Sequence, residues 1–219
     1  RIDDAAERIA SLEQAVETTY KTLQKQAATL TAQRNAVART FEKEIAARLI
    51  ELGIPNTRFA VDITPRRQPD ATGADSVAFL FSANKNGALQ DIAQVASGGE
   101  ISRIMLSLKS IIATATAMPT LIFDEIDTGV SGTIAARMAD IMASIASHGR
   151  QVISITHLPQ IAAKATAHYK VYKEDNDTST VSHIRPLTTE ERITELAQMM
   201  SAGTLTAAAI NNAKELLGK

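Results

Sequence analysis

The sequence predicts an α/β protein, a mainly parallel sheet flanked by helices, entered by one long N-terminal helix. Three observations predict it. Residues 1 to 52 contain neither Pro nor Gly and carry a seven-residue apolar repeat. Two short apolar runs, Leu121-Ile122-Phe123 and Gln151 to Thr156, read as buried strands. Each runs into polar residues, Asp124-Glu125 in one case and His157 in the other, with helical patterns around them.

Composition bounds the class. The chain has 219 residues, 45% apolar but only 4% aromatic, with no Trp, so its core must be aliphatic. Its 23 basic and 24 acidic residues leave a net charge of −1. That excludes a strong overall electrostatic footprint for nucleic acid and leaves only weak or locally patterned DNA contact. With no Cys there is no disulfide and no thiolate zinc site, which fits a reducing compartment. No apolar run is long enough to span a bilayer, and Arg1-Ile2-Asp3-Asp4 does not open a signal peptide. The chain starts without Met and inside a repeat, so it reads as part of something longer.

The elements follow in order. Ile2, Ile9, Val16, Leu23, Leu30 and Val37 recur at intervals of seven, a coiled-coil a series. The matching d series (Ala5, Leu12, Thr19, Gln26, Gln33, Thr40) is poor, which suits a thin helical arm. From Phe41 through Ile45, Leu49 and Leu52 the spacing shifts to a wider face. The arm is therefore expected over 1–52 and a globular lobe over 53–219. Gly53-Ile54-Pro55-Asn56 stops the helix. Residues 58–63 and 77–82 read as strands, with a polar loop over 65–75 whose Arg66 and Arg67 read as a solvated pair. Asn84 to Gly87 is a turn, and helices follow over 98–117 and 133–148, the latter closed by Gly149. A short helix over 161–165, a hairpin around 174–177 and helices over 190–200 and 205–217 complete the chain.

Two stretches carry chemistry. Leu121 to Asp127 ends an apolar run in two adjacent carboxylates and then a third, followed by Thr128-Gly129-Val130-Ser131-Gly132. One reading is a strand closing in a polar turn. The other starts from the cost of burying unpaired carboxylates. Alternation would send Asp124 and Glu125 to opposite sides, one towards a metal and one towards a reacting water. In Ser97-Gly98-Gly99-Glu100, Ser and Glu read as a capping box. The two glycines also leave bare N–H groups at the positive end of a helix, where an anion can approach. His157 ends a strand as the acid pair does, and open parallel sheets bind ligands at that end. His148, His168 and His183 have no such company.

Taken in order, Ser97 to Glu100, Leu121 to Asp127 and Ile155-Thr156-His157 resemble the signature motif, Walker B and switch histidine of ABC-type ATPase heads. The wording of Val95 to Arg103, Phe123 to Gly132 and Thr156 to Ala162 is similar to the RecN family, the bacterial SMC-like proteins of DNA double-strand-break repair. The resemblance covers nearly the whole chain. It implies the C-terminal lobe of an ABC-type head, entered by a descending coiled-coil helix, in a bacterial cytoplasmic protein working at the nucleoid. It also implies the roles. Asp124 would hold Mg²⁺ through water, Glu125 would polarise the attacking water and His157 would sense the γ-phosphate. Ser97, Gly98, Gly99 and Glu100 would meet ATP held by a second head, and Thr128, Gly129, Val130 and Ser131 would form the D-loop. Partners would be the N-terminal lobe of the same protein, a second head in an ATP-dependent dimer, and DNA, with no membrane. Ser131 departs from the Asp that usually ends a D-loop, and Gln198 stands where the family carries Arg.

Nowhere does Gly-x-x-x-x-Gly-Lys-Ser/Thr occur. Without that phosphate cradle the chain alone is expected neither to bind ATP tightly nor to hydrolyse it. Transporter-type heads carry Gln and Pro where this chain has Glu100 and Ile126. The alternatives are the C-terminal half-head of another SMC-like or ABC-type ATPase and a non-catalytic coiled-coil tether domain.

Overall fold

The computed structural model describes residues 2–94, 98–116, 118–130, 132–176, 179–201 and 205–219. The chain divides into two units: Arg1–Ala47 with Asn56–Val95, and Arg48–Pro55 with Ala96–Lys219. The predicted opening helix is α1, Ile2–Glu51, whose last turn belongs to the second unit.

In the first unit α1 accompanies a sheet of three antiparallel strands, β1 (Arg58–Asp70), β2 (Gly73–Ser82) and β3 (Gln90–Asp91), in the order β1-β2-β3. Here the structure differs from the expected loop over 65–75. β1 and β2 form one long hairpin, paired from Arg58 with Ser82 to Asp70 with Gly73. Pro65, which reads as a loop residue, sits where the register shifts between Pro65 and Asp70. An irregularity of this kind is one place where a strand tolerates a residue with no N–H. Arg66 pairs with Asp70, and Asp70 accepts the Thr72 N–H at 2.7 Å, which closes the turn.

The repeat along α1 is present, but it is not the stripe that α1 buries here. Ile9, Val16 and Val37 of the a series are exposed, Val37 by 62%. The buried or half-buried stripe is instead Ala27, Thr31, Arg34, Ala38, Phe41 and Ile45, offset from it on the helix surface. Steps of four and three keep one face in line. Polar contacts fix this stripe to the hairpin. The Thr31 hydroxyl bonds both Asp75 carboxylate oxygens (2.9 and 2.8 Å), and Arg34 donates to Asp75 at 2.9 Å and to the Thr72 carbonyl at 2.6 Å. Further along, the Phe41, Phe59 and Phe79 rings cluster with centroids 5.7–6.1 Å apart.

The second unit begins with the end of α1. Gly53 has φ +82; its N–H donates to the Ile50 carbonyl at 3.1 Å and the Ile54 N–H to that of Leu49 at 2.9 Å. This pair of bonds is the Schellman stop that the sequence predicts at Gly53. The elements then run α2 (Gly98–Ala115), β4 (Thr120–Asp124), α3 (Gly132–Ser147), β5 (Gln151–Ile155), α4 (Pro159–Lys164), β6 (Tyr169–Asn176), β7 (Ser179–Pro186), α5 (Thr189–Met200) and α6 (Ala207–Leu216). The α/β class is borne out. Its parallel part is the β4–β5 pair, while β6 and β7, only two residues apart in sequence, pair antiparallel.

Helix α3 buries Ala135, Met138, Ala139, Met142 and Ile145, one helical face, in a core with Leu106, Leu121, Phe123 and Ile161. α5 and α6 close a second cluster, Leu196, Ala197, Ala209 and Ala213, with Ala162 and Ala163 of α4. α5 starts on a capping box of Thr188 and Glu191.

The Thr31 hydroxyl, with Arg34, holds the Asp75 carboxyl below its ordinary value of 3.8. A depressed folded pKa stabilises the fold above the ordinary value and loses that contribution as pH falls through the folded one. Asp75→Asn is therefore expected to lower stability at neutral pH and to flatten its decline on acidification from about pH 4. Urea unfolding at several pH values measures both.

Candidate functional site

The site grows from the pairing of β4 with β5. The register runs from Thr120 opposite Gln151 to Asp124 opposite Ile155, so both strands end level. Leu121 and Phe123 face the core. The other face carries Ile122, Asp124, Ile153 and Ile155, all exposed, with Ile122 at 55% and Ile155 at 51%. A parallel sheet is ordinarily covered on both faces. Here one apolar face is bare, and Asp124 stands at its edge.

Glu125 departs from the sequence argument. The strand stops at Asp124, and Glu125 adopts φ +47, so a left-handed turn rather than alternation sets its direction. Such a conformation costs energy in a non-glycine residue and concentrates at functional positions. Its N–H still donates to the Ile155 carbonyl at 3.1 Å, extending the ladder by one bond. The side chain is exposed. The following turn is stapled: the Thr128 hydroxyl donates to the Glu125 carbonyl (3.1 Å) and the Val130 N–H to that of Asp127 (3.2 Å). Thr128 and Gly129 are exposed, Gly129 with φ +71, and Val130 is half-buried.

Asp127, which the sequence reading assigned no role, is the buried hinge of the site at 1% exposure. Its Oδ2 accepts the Thr156 hydroxyl and, at 3.3 Å, the His157 N–H. The Thr156 oxygen in turn accepts the Leu158 N–H at 3.0 Å. His157 itself is exposed, with Nδ1 3.5 Å from Asp127 Oδ1. The third acid after the Asp124-Glu125 pair was the available signal, but only the fold shows that it turns inward.

Ser97 and Ser131 lie outside the described residues, and with Ser97 the expected capping box. Gly98 and Gly99 open α2, with Glu100 half-buried in its first turn. The glycines answer to different constraints. A Cβ on Gly98 would meet no described residue within 4 Å, whereas one on Gly99 would lie 2.8 Å from the Thr128 carbonyl oxygen. Gly99 thus lets α2 approach the turn after β4, and Gly98 is open to solvent. Arg103 spans from this end of α2 to the stop of α1, donating to the Gly99 carbonyl at 3.0 Å and to that of Leu52 at 3.2 Å. Among the described residues no hydrogen bond or ion pair joins Gly98 to Asp124, Glu125 or His157.

Asp124 and Glu125 are adjacent exposed carboxylates, and among the described residues no three His, Cys, Asp or Glu side chains gather as a metal cage. That donor set suits Mg²⁺, which keeps its waters and binds one or two carboxylates together with phosphates.

No family model matches the chain. It is 40% identical over 207 residues to the DNA repair protein RecN of Deinococcus radiodurans, covering 94% of this chain and 36% of that one. It is 34% identical over 232 residues to RecN of Bacillus subtilis, covering 99% and 40%. The chain thus spans little more than a third of the length of these relatives. Among solved structures it is similar to the Smc head domain with a coiled coil and joint from Pyrococcus yayanosii, with a TM-score of 0.64 at 19% identity over 89% of this chain and 35% of that one. It is also similar to an Smc head with an extended coiled coil from Pyrococcus furiosus, bound to the C-terminal domain of ScpA, with a TM-score of 0.56 at 19% identity over 86% and 44%. These likenesses establish an SMC-head type of α/β fold with a coiled-coil helix. Among the described residues no helix is long and apolar enough to cross a membrane.

The two glycines separate in a stability measurement. Gly99→Ala is expected to cost about 1–3 kcal/mol, because the clash is with backbone that cannot swing aside. Gly98→Ala is expected to stay within about 0.5 kcal/mol of the parent. Chemical denaturation of the two variants compares them directly.

Proposed function

Because the chain belongs to the RecN family of DNA repair proteins, matching the C-terminal part of its members, we propose that it is the C-terminal part of an SMC-like ATPase head. Residues 1–52 form the arm segment entering the head and 53–219 its C-terminal lobe. In the complete protein, ATP joins two heads, hydrolysis releases them, and the arm carries the change during double-strand-break repair in the bacterial cytoplasm, at the nucleoid.

The observation that carries this reading is the level ending of β4 and β5. It sets Asp124 and Glu125 beside the stretch that leads into His157, and Asp127 bonds that stretch directly. Open α/β sheets bind their ligands at such an end. Asp124 is the residue to hold Mg²⁺ through water, and Mg²⁺ would neutralise charge on the phosphates. Glu125, exposed on a left-handed turn, orients the attacking water. His157 senses the γ-phosphate.

The bare face of Ile122, Ile153 and Ile155 supports a further lobe of the same protein as the partner that covers it. That lobe would bring the phosphate cradle this chain lacks. The openness of Gly98, and its lack of any bond to the acids, supports a signature that serves the nucleotide of a second head. There the N–H groups of Gly98 and Gly99, at the positive end of α2, meet phosphate. Ser97 and Glu100 flank that contact, and Thr128 to Ser131 form the D-loop between heads. DNA is bound by the complete protein.

Two outcomes are expected. Glu125→Gln in the complete protein traps ATP-bound dimers, seen by size-exclusion chromatography with ATP and Mg²⁺; unchanged elution would favour a non-catalytic tether. The 219-residue chain alone releases no phosphate from ATP. Turnover that disappears with Glu125→Gln would overturn that second expectation.

A further inference from the structure

We propose that Asp127 is the positioning residue for His157: its Oδ1 takes the Nδ1 proton and leaves Nε2 as the atom presented to the nucleotide. The proposal deepens the ATPase-head reading and rests on it for the nucleotide and the kinetic readout, whereas the tautomer stands apart from it.

The carboxylate divides its two oxygens. Oδ2 accepts the Thr156 hydroxyl and the His157 N–H, and these bonds suffice to tie the turn after β4 to the end of β5. Oδ1 is buried and, among the described residues, accepts no hydrogen bond. An unsatisfied oxygen on a buried carboxylate is costly. What faces it is the His157 imidazole, with Nδ1 at 3.5 Å on a side chain that is 66% exposed and free to turn. A small rotation brings Nδ1 within hydrogen-bond range of an acceptor that no other described residue uses. A carboxylate can only accept, so Nδ1 must then carry the proton. Fixing one ring nitrogen decides the role of the other.

A purely structural Asp127 would need only Oδ2. Asp127→Asn separates the two accounts. An amide can keep its oxygen on Thr156 and the His157 N–H while its NH₂ group faces Nδ1. A donor there turns the ring to the opposite tautomer, with the proton on Nε2.

The test uses the complete protein that carries this chain, labelled with ¹⁵N-histidine, with His157 assigned by its loss in His157→Ala. Long-range ¹H–¹⁵N correlations at about pH 9, above the ordinary imidazole range, report the tautomer. The parent is expected to show the proton on Nδ1 and Asp127→Asn to show it on Nε2. ATP turnover is expected to fall about ten- to a hundredfold in Asp127→Asn, by analogy with partners that orient metal-binding histidines, with KM unchanged. In a His157→Ala background the same substitution is expected to change turnover less than about twofold. The proposal is overturned by a parent with the proton on Nε2, by a tautomer that ignores Asp127→Asn, or by an equal loss with and without His157. If Asp127→Asn does not fold, the parent's tautomer decides alone. If the tautomer switches but the parent turns over no ATP, the positioning role stands and the head reading falls.

Discussion

Five backbone pairs between β4 and β5 bring the ends of the two strands, and the residues that leave them, to one edge of the sheet. Because Asp124 lies opposite Ile155, the two strands finish together, and the residues after them must share one small volume. A slip of one residue would exchange the two faces of β4, turning Asp124 into the core and Phe123 out of it. The buried pair Leu121 and Phe123 prevents that slip. Packing on one face of the sheet therefore determines the chemistry available on the other.

The glycine doublet shows why one motif can hold two constraints. Gly99 is needed by the chain itself, since any side chain would press on the Thr128 carbonyl. Gly98 has no such neighbour among the described residues, so no contact seen there explains the absence of a side chain. Intramolecular packing accounts for one glycine. At the other the helix mouth is open, the kind of place where an anion can approach bare N–H groups.

Much of this was legible in the sequence, and the failures share a cause. Periodicity found α1, and turn chemistry found its stop at Gly53, because both signals are local. The seven-residue series did not show which stripe the chain buries, since the stripe through Ala27, Thr31 and Arg34 is partly polar and becomes a packing face only when Asp75 arrives from β2. Pro65 and the two arginines after it argued for a loop, yet the pairing of β1 with β2 runs past them. Alternation placed Asp124 but could not place Glu125 or Asp127, because the chain leaves the strand between them with φ +47 at Glu125. The inward turn of Asp127 depends on Thr156 and His157, about thirty residues further on, and no local rule reaches that far.

The exposed apolar surfaces complete the physical picture. Ile122, Ile153 and Ile155 leave one side of a parallel pair uncovered, and in the other unit Ile9, Leu12 and Val16 stand exposed along α1. Scattered apolar residues need no explanation, but a patterned face on a buried type of sheet, and a patterned stripe on a long helix, do. Each is complementary to the element that its pattern would otherwise require, a covering layer for the sheet and a second helix for the stripe. Asp124 lies on the edge of the uncovered sheet face. A layer placed over those isoleucines would therefore also bring its own polar groups up to the carboxylate.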